Sequence, residues 1–207
     1  MSGAGIMLMI GEHPLGSVCT TDKISALIEE LQFALGEGPC VDAHKTDRPV
    51  LEPDLVDPET LRWPAFSVPA IEAGARAVFG FPLQVGAVRL GALNLYRNRP
   101  GSLTDEQHAN ALVMADIAAQ SVLLLQAEAP PGKLANELST NADFNYIVHQ
   151  AAGMIAAQMN ITVGESLVTL RAFAFGNDRQ LREVAKDVVG GTLRFGPKSS
   201  GSGPHAR

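Results

Sequence analysis

Two cysteines, five histidines and a thin scatter of arginines are the residues of this chain with the most chemistry to offer. Cys40 sits in the run GEGPC at 36–40, a glycine- and proline-rich stretch. A thiol there can act as a redox or ligand-sensing group, or serve as a small hydrophobe. His13, His44 and His108 share no metal-ligand spacing with Cys19 or Cys40, so no metal site is expected. No phosphate loop, nucleophile elbow or zinc-binding helix motif occurs. The expectation is a protein without enzymatic activity and without a cofactor. Arg171 is a strong donor to phosphate or guanine, or else an exposed arginine paired with a carboxylate. Arg179, Arg182 and Lys186 line one side of a helix, which by itself is a solvated face. Phe173 and Phe175 can stack on an extruded base or pack in a core.

These candidates depend on the helices between Asn141 and Phe195. Phe144, Ile147, Val148, Ala151, Ile155 and Met159 recur at three- and four-residue spacing and make one helical face. A break follows at Asn160. Thr162 and Glu165 form a capping box for a second helix with Leu167, Leu170 and Ala174 inside. Gly176 is expected to end it in the left-handed conformation. Asp178 is the expected N-cap of a third helix burying Leu181, Val184, Ala185 and Val188. Gly153 falls in the middle of the first helix, where glycine costs roughly 1 kcal/mol relative to alanine. Close helix packing or close approach of a ligand would offset that cost. His149 and Gln150 lie off the apolar face.

The runs HQAAGM at 149–154 and LRAFA at 170–174, with Val184–Ala185, resemble the ANTAR domain, a three-helix RNA-binding module of bacterial transcription antiterminators. The likeness covers about sixty residues and implies a dimer that grips paired stem-loops in nascent mRNA. On that basis His149, Gln150, Gly153, Arg171, Phe173, Arg179 and Arg182 are the expected RNA contacts. Many members carry a lysine just before the helix glycine; this chain has Ala152, which removes a phosphate contact.

The first part of the chain reads differently. Strands are expected at 5–11 and 15–20, separated by a turn at 12–14. Asp22 should cap a helix with Ile24, Leu27, Ile28, Leu31 and Leu35 on its face. Residues 36–55 read as a loop, with a short strand at 50–52. A short helix at 63–74 precedes a hairpin of strands at 76–84 and 88–96. Thr104 and Gln107 open a long helix over 105–127. This is an α+β pattern with an antiparallel sheet. GEGPCVDAHKTDRPVLEPDL at 36–55, with FGFPLQVGAVRLGALNLY at 79–96, resembles the GAF domain over residues from about 4 to 127. The usual leading helix, and the dimer contact it often supplies, is not expected here. Cys40 would then stand at the mouth of the GAF pocket. The same loop resembles the free-methionine-sulfoxide reductases, which need further cysteines that this chain does not provide.

The expected organisation is a GAF sensor at 1–128, a linker and helix start at 129–135, an ANTAR domain at 136–195 and a disordered glycine- and serine-rich tail at 196–207. Charge follows the same division. Residues 1–132 hold 8 Lys and Arg against 16 Asp and Glu, and residues 133–207 hold 8 against 6. Only the second part approaches a phosphate backbone without strong repulsion. With two cysteines and neither a signal peptide nor an N-terminal membrane span in the sequence, a cytoplasmic protein is expected. The combined expectation is an RNA-binding antitermination regulator that acts as a homodimer, with an unidentified small molecule or protein as its signal. Two alternatives stand beside it: a redox-active GAF protein using Cys40, and a protein-binding regulator without RNA contact.

Overall fold

A computed structural model describes residues 1–57, 62–130, 138 and 146–196. The chain divides into two compact units, Met1–Asp143 and Phe144–Arg207. The first contains β1 (Gly3–Ile10), β2 (His13–Thr20), α1 (Lys23–Leu35), α2 (Pro39–Thr46), β3 (Val50–Glu52), α3 (Pro64–Glu72), β4 (Ala77–Val85), β5 (Val88–Arg97) and α4 (Asp105–Ala127). The second contains α5 (Tyr146–Met159), α6 (Val163–Gly176) and α7 (Leu181–Val189). Of the expected linker and helix start at 129–135, residues 131–135 lie outside the described residues, as do Phe144 and all of the expected tail after Gly196.

The five strands form one antiparallel sheet in the order β2-β1-β5-β4-β3. Alternation along the central strands separates two faces. Phe79, Phe81 and Leu83 of β4, with Leu93 and Leu95 of β5, meet Ala111, Ala115 and Ala119 of α4. Alanines on that side let the helix lie close to the bulky strand residues. On the other face Val78 and Tyr96 pack with Ile28 of α1, Ala43 of α2, and Phe66 and Ala70 of α3. The β1–β2 and β4–β5 turns each need only two residues, and each has a glycine at positive φ, Gly11 at 58° and Gly86 at 59°.

The stretch read as a loop at 36–55 holds α2. A proline at its first turn suits a helix start, where no N–H partner is needed. The same prolines and glycines that forbid a long helix therefore permit a short one. Glu37 just before it accepts hydrogen bonds from the N–H groups of Ala65 and Phe66, 3.0 Å each. That carboxylate fills the N-terminal end of α3 and ties it to the α1–α2 connection. The indole of Trp63 donates to Asp42 at 3.0 Å, a second tie between the same elements.

Both expected capping boxes form, at Thr104–Gln107 and at Thr162–Glu165. In the second, Glu165 accepts from the Thr162 N–H at 2.8 Å, and these bonds hold its carboxyl below the usual range. The apolar faces of α5 to α7 are buried as the spacing implies: Val148, Ala151 and Ile155; Leu167, Leu170 and Ala174; Leu181, Val184, Ala185 and Val188. Two end signals differ from expectation. Gly176 stays helical, and Asp178, at φ 50°, makes the left-handed turn instead. An aspartate tolerates that region because its short polar side chain can bond locally. The N-cap of α7 is then Gln180, without a side-chain cap.

Candidate functional site

The second unit carries most of the expected site residues. On α5, Gln150 and Gly153 are exposed, three residues apart on one face, and His149 is half-buried. A Cβ at Gly153 would meet no atom within 4 Å, so helix packing does not account for this glycine. Its neighbour Ala152 is fully buried in the bundle, so the position before the glycine does not offer a side chain to the surface. On α6, Arg171 is half-buried rather than on an open face, and burial pushes its guanidinium down to about 10. Phe173 packs edge-on against Phe195, ring centres 5.2 Å apart, which makes it structural. Phe175 is the exposed aromatic, at 70%. Val168, Arg171 and Phe175 follow at three- and four-residue spacing on one side of the helix, where Val168 and Phe175 are exposed and Arg171 is half-buried between them. Arg179 is exposed and paired with Asp187 at 2.8 Å, and Arg182 and Lys186 stand a turn apart on the exposed side of α7.

In the first unit, Cys40 does not stand at a pocket mouth. It is fully buried on the first turn of α2, and its N–H donates to Gln32 Oε1 at 2.8 Å. Burial, then the charge of Glu29, push the thiol well above its usual value. A buried thiol held protonated is the opposite of a reactive one. Close backbone approach seats the helix there: a Cβ on Gly80 of β4 would fall 2.4 Å from the Pro39 carbonyl oxygen.

The polar residues that matter in this interior were missed in sequence. Ser25, Glu29 and Gln32 are buried along α1 beside Ile28, whereas Leu27 is exposed. The helix therefore presents a face rotated from its apolar stripe. Nothing in the types of Glu29 and Gln32 marks them as interior, since such residues normally face water. Glu29 lies over β1, where a Cβ on Gly5 would come within 2.5 Å of its Oε1. Burial pushes its carboxyl up to about 8, with the Asn94 side chain opposing. At the start of α1, the Tyr96 hydroxyl donates to the capping residue Asp22 at 3.0 Å; burial and that carboxylate raise the phenol to about 12. Among the described residues, no cluster of histidine, cysteine, aspartate and glutamate could hold a metal ion.

α4 is long and apolar enough, by length and composition, to cross a membrane, and one side of it packs on the sheet.

A search of curated proteins finds no match. Among solved structures, the chain is similar to a domain of a protein described as a two-component sensor histidine kinase from Sinorhizobium meliloti 1021, at 20% identity over 61% of this chain and 81% of that one, TM-score 0.49. It is similar to the GAF domain region of a protein described as a membrane protein from Geobacter sulfurreducens PCA, at 15% identity over 60% and 82%, TM-score 0.49. It is also similar to the type II free methionine-R-sulfoxide reductase from Thermoplasma acidophilum, at 16% identity over 57% and 76%, TM-score 0.44. The family model of the GAF domain matches residues 2–122, which take in the five-stranded sheet, α1 to α3 and most of α4. By that match the chain belongs to the GAF domain family.

Proposed function

We propose that this protein is a non-enzymatic cytoplasmic regulator whose GAF unit senses a signal and whose three-helix unit binds paired RNA stem-loops, as in the ANTAR-type antiterminators it resembles. The observation that carries the RNA reading is the outward stripe of α6. Val168 and Phe175 are 59% and 70% exposed, and Arg171, itself half-buried, falls between them along the helix. An exposed aromatic beside a cation suits stacking on unpaired loop bases combined with a phosphate contact. The open surface at Gly153 is compatible with close approach of a backbone.

The protein acts as a homodimer in this reading. Leu112, Val113, Met114, Ile117 and Leu124 are exposed on one 23-residue helix, which leaves apolar surface uncovered among the described residues. Two bundles side by side would bind two linked hairpins, and the second contact becomes intramolecular, worth on the order of 10²–10⁴-fold in avidity. A redox role for Cys40 is disfavoured by its burial and raised pKa.

Titration of the full chain with one hairpin and with two linked hairpins tests the proposal. Tighter binding of the linked pair is expected. Arg171→Ala is expected to weaken binding and also to lower the thermal midpoint, because half of that side chain is packed. Equal affinity for a hairpin and an unstructured strand would remove RNA and leave the protein-binding alternative.

A further inference from the structure

Glu29 is 1% exposed, neither carboxylate oxygen meets a donor at full hydrogen-bonding geometry, and the nearby Asn94 side chain offsets only part of the cost of ionising it. Two other buried polar atoms close by are in the same condition, Nε2 of Gln32 on α1 and Oδ1 of Asn94 on β5. Opposite them, Gly5, Asn94 and Gly80 stand side by side in register across β1, β5 and β4. The two glycines let α1 and α2 press onto the strands, so Glu29 is enclosed between the helices and the sheet.

The groups around it supply no counter-charge. Of the two thiols that its charge raises, after burial, Cys40 of α2 is fully buried and Cys19 of β2 is exposed. Neither thiol can supply a positive charge to it. β1 offers Gly5, and the buried residues of α3 are Phe66, Ser67 and Ala70, none of them titratable. His44 of α2 is turned to the Gly11 carbonyl at 2.7 Å, and Tyr96 of β5 is turned to Asp22. Among the described residues, none of the ion pairs includes Glu29.

We propose that Glu29 is a proton-linked latch: while its carboxyl is neutral, α1 and α2 stay closed over the strand face of Gly5, Gly80 and Asn94, and loss of the proton to solvent opens that layer to water. An ionised carboxylate with no cation and too few donors is expensive in a closed interior. Water must reach it, and the helices that exclude water must separate. The sign follows from the raised pKa. Glu29 releases its proton near pH 4.3 in an unfolded or opened chain and near 8 in the closed one. The closed form is thus favoured most below the first value, and this advantage is lost as pH rises through the second. The inference concerns the sensing unit and is independent of the RNA reading.

Cys40 is a built-in reporter, since its sulfur is covered until the layer opens. In the full-length chain carrying Cys19→Ser, the rate of Cys40 alkylation by iodoacetamide is measured between pH 6 and 9, with Glu29 and with Glu29→Gln. Alkylation occurs from the opened layer, where water relieves burial and screens the charge of Glu29, so the titration of the exposed thiol is close to common to both proteins. The ratio is expected to rise on the order of tenfold per pH unit between pH 6 and 8 and to level off above. A ratio independent of pH would overturn the proposal. Should Glu29→Gln not fold, hydrogen exchange of the α1 amides in the wild-type chain, corrected for the intrinsic pH dependence of exchange, replaces it. Protection that falls over the same interval is expected, and flat protection overturns the latch. Neither readout involves RNA.

Discussion

At the scale of single residues, the two phenylalanines near the end of α6 show how little separates a structural aromatic from a binding one. They are two positions apart, so the helix turns them to different sides. Phe173 finds Phe195, and Phe175 finds solvent. Phe175→Ala should therefore weaken RNA binding by about 1–3 kcal/mol, the usual worth of one stacked base, and leave helicity unchanged. A binding titration with circular dichroism as the folding control checks both halves. Unchanged affinity would remove the stripe from the interface. Cys40 makes the converse point. A lone thiol in a Gly-Pro segment is an attractive sensor on paper, but the fold buries it on the first turn of α2, where burial holds the proton on sulfur.

At the scale of elements, backbone contact between α2 and β4 decides how the inner face of the sheet is covered. Gly80 makes that contact possible: its missing Cβ would lie 2.4 Å from Pro39 O and 2.9 Å from Cys40 N. Both neighbours are main-chain atoms that cannot swing aside. Gly80→Ala should destabilise the GAF unit by about 1–3 kcal/mol or more, as overpacking of a tight core does. Chemical denaturation with fluorescence of the single tryptophan, Trp63, would read this directly, since Trp63 is buried in the same layer. A variant as stable as wild type would mean that α2 can shift freely. The C-terminal unit relies on a different device. Its helices are short, and the capping box at Thr162–Glu165 satisfies N–H groups that α6 could not satisfy alone.

At the scale of the whole molecule, α4 connects composition to assembly. Its packed side uses Ala111, Ala115, Ala119 and Val122, whereas its larger residues point outward. Under the regulator reading proposed above, such a face needs a partner, so self-association through it is expected. Ile117→Glu, at a site 58% exposed, should shift the chain to monomer in sedimentation without loss of thermal stability. It should also reduce the preference for linked hairpins over single ones. A wild-type chain that sediments as monomer at micromolar concentration, with and without RNA, would sink the dimer.

The sequence by itself determined what local physics controls. Both capping boxes, the apolar faces of α5 to α7 and the strand pairs around short turns follow from side-chain types at fixed spacings, and they formed where those spacings put them. The tight turn between the apolar strands at 76–84 and 88–96 likewise foretold an antiparallel hairpin, which β4 and β5 form. Tertiary structure alone decided the rest. Which side of α1 faces the sheet depends on the glycines it meets on other elements, and that choice buried Glu29 and Gln32 while exposing Leu27. Whether Arg171 stands in water, whether Gly153 is covered and whether Cys40 is reachable depend on residues distant in sequence. Periodicity describes how one helix divides its residues, but the free energy of burying a carboxylate or a thiol is set by neighbours that only the folded chain brings near.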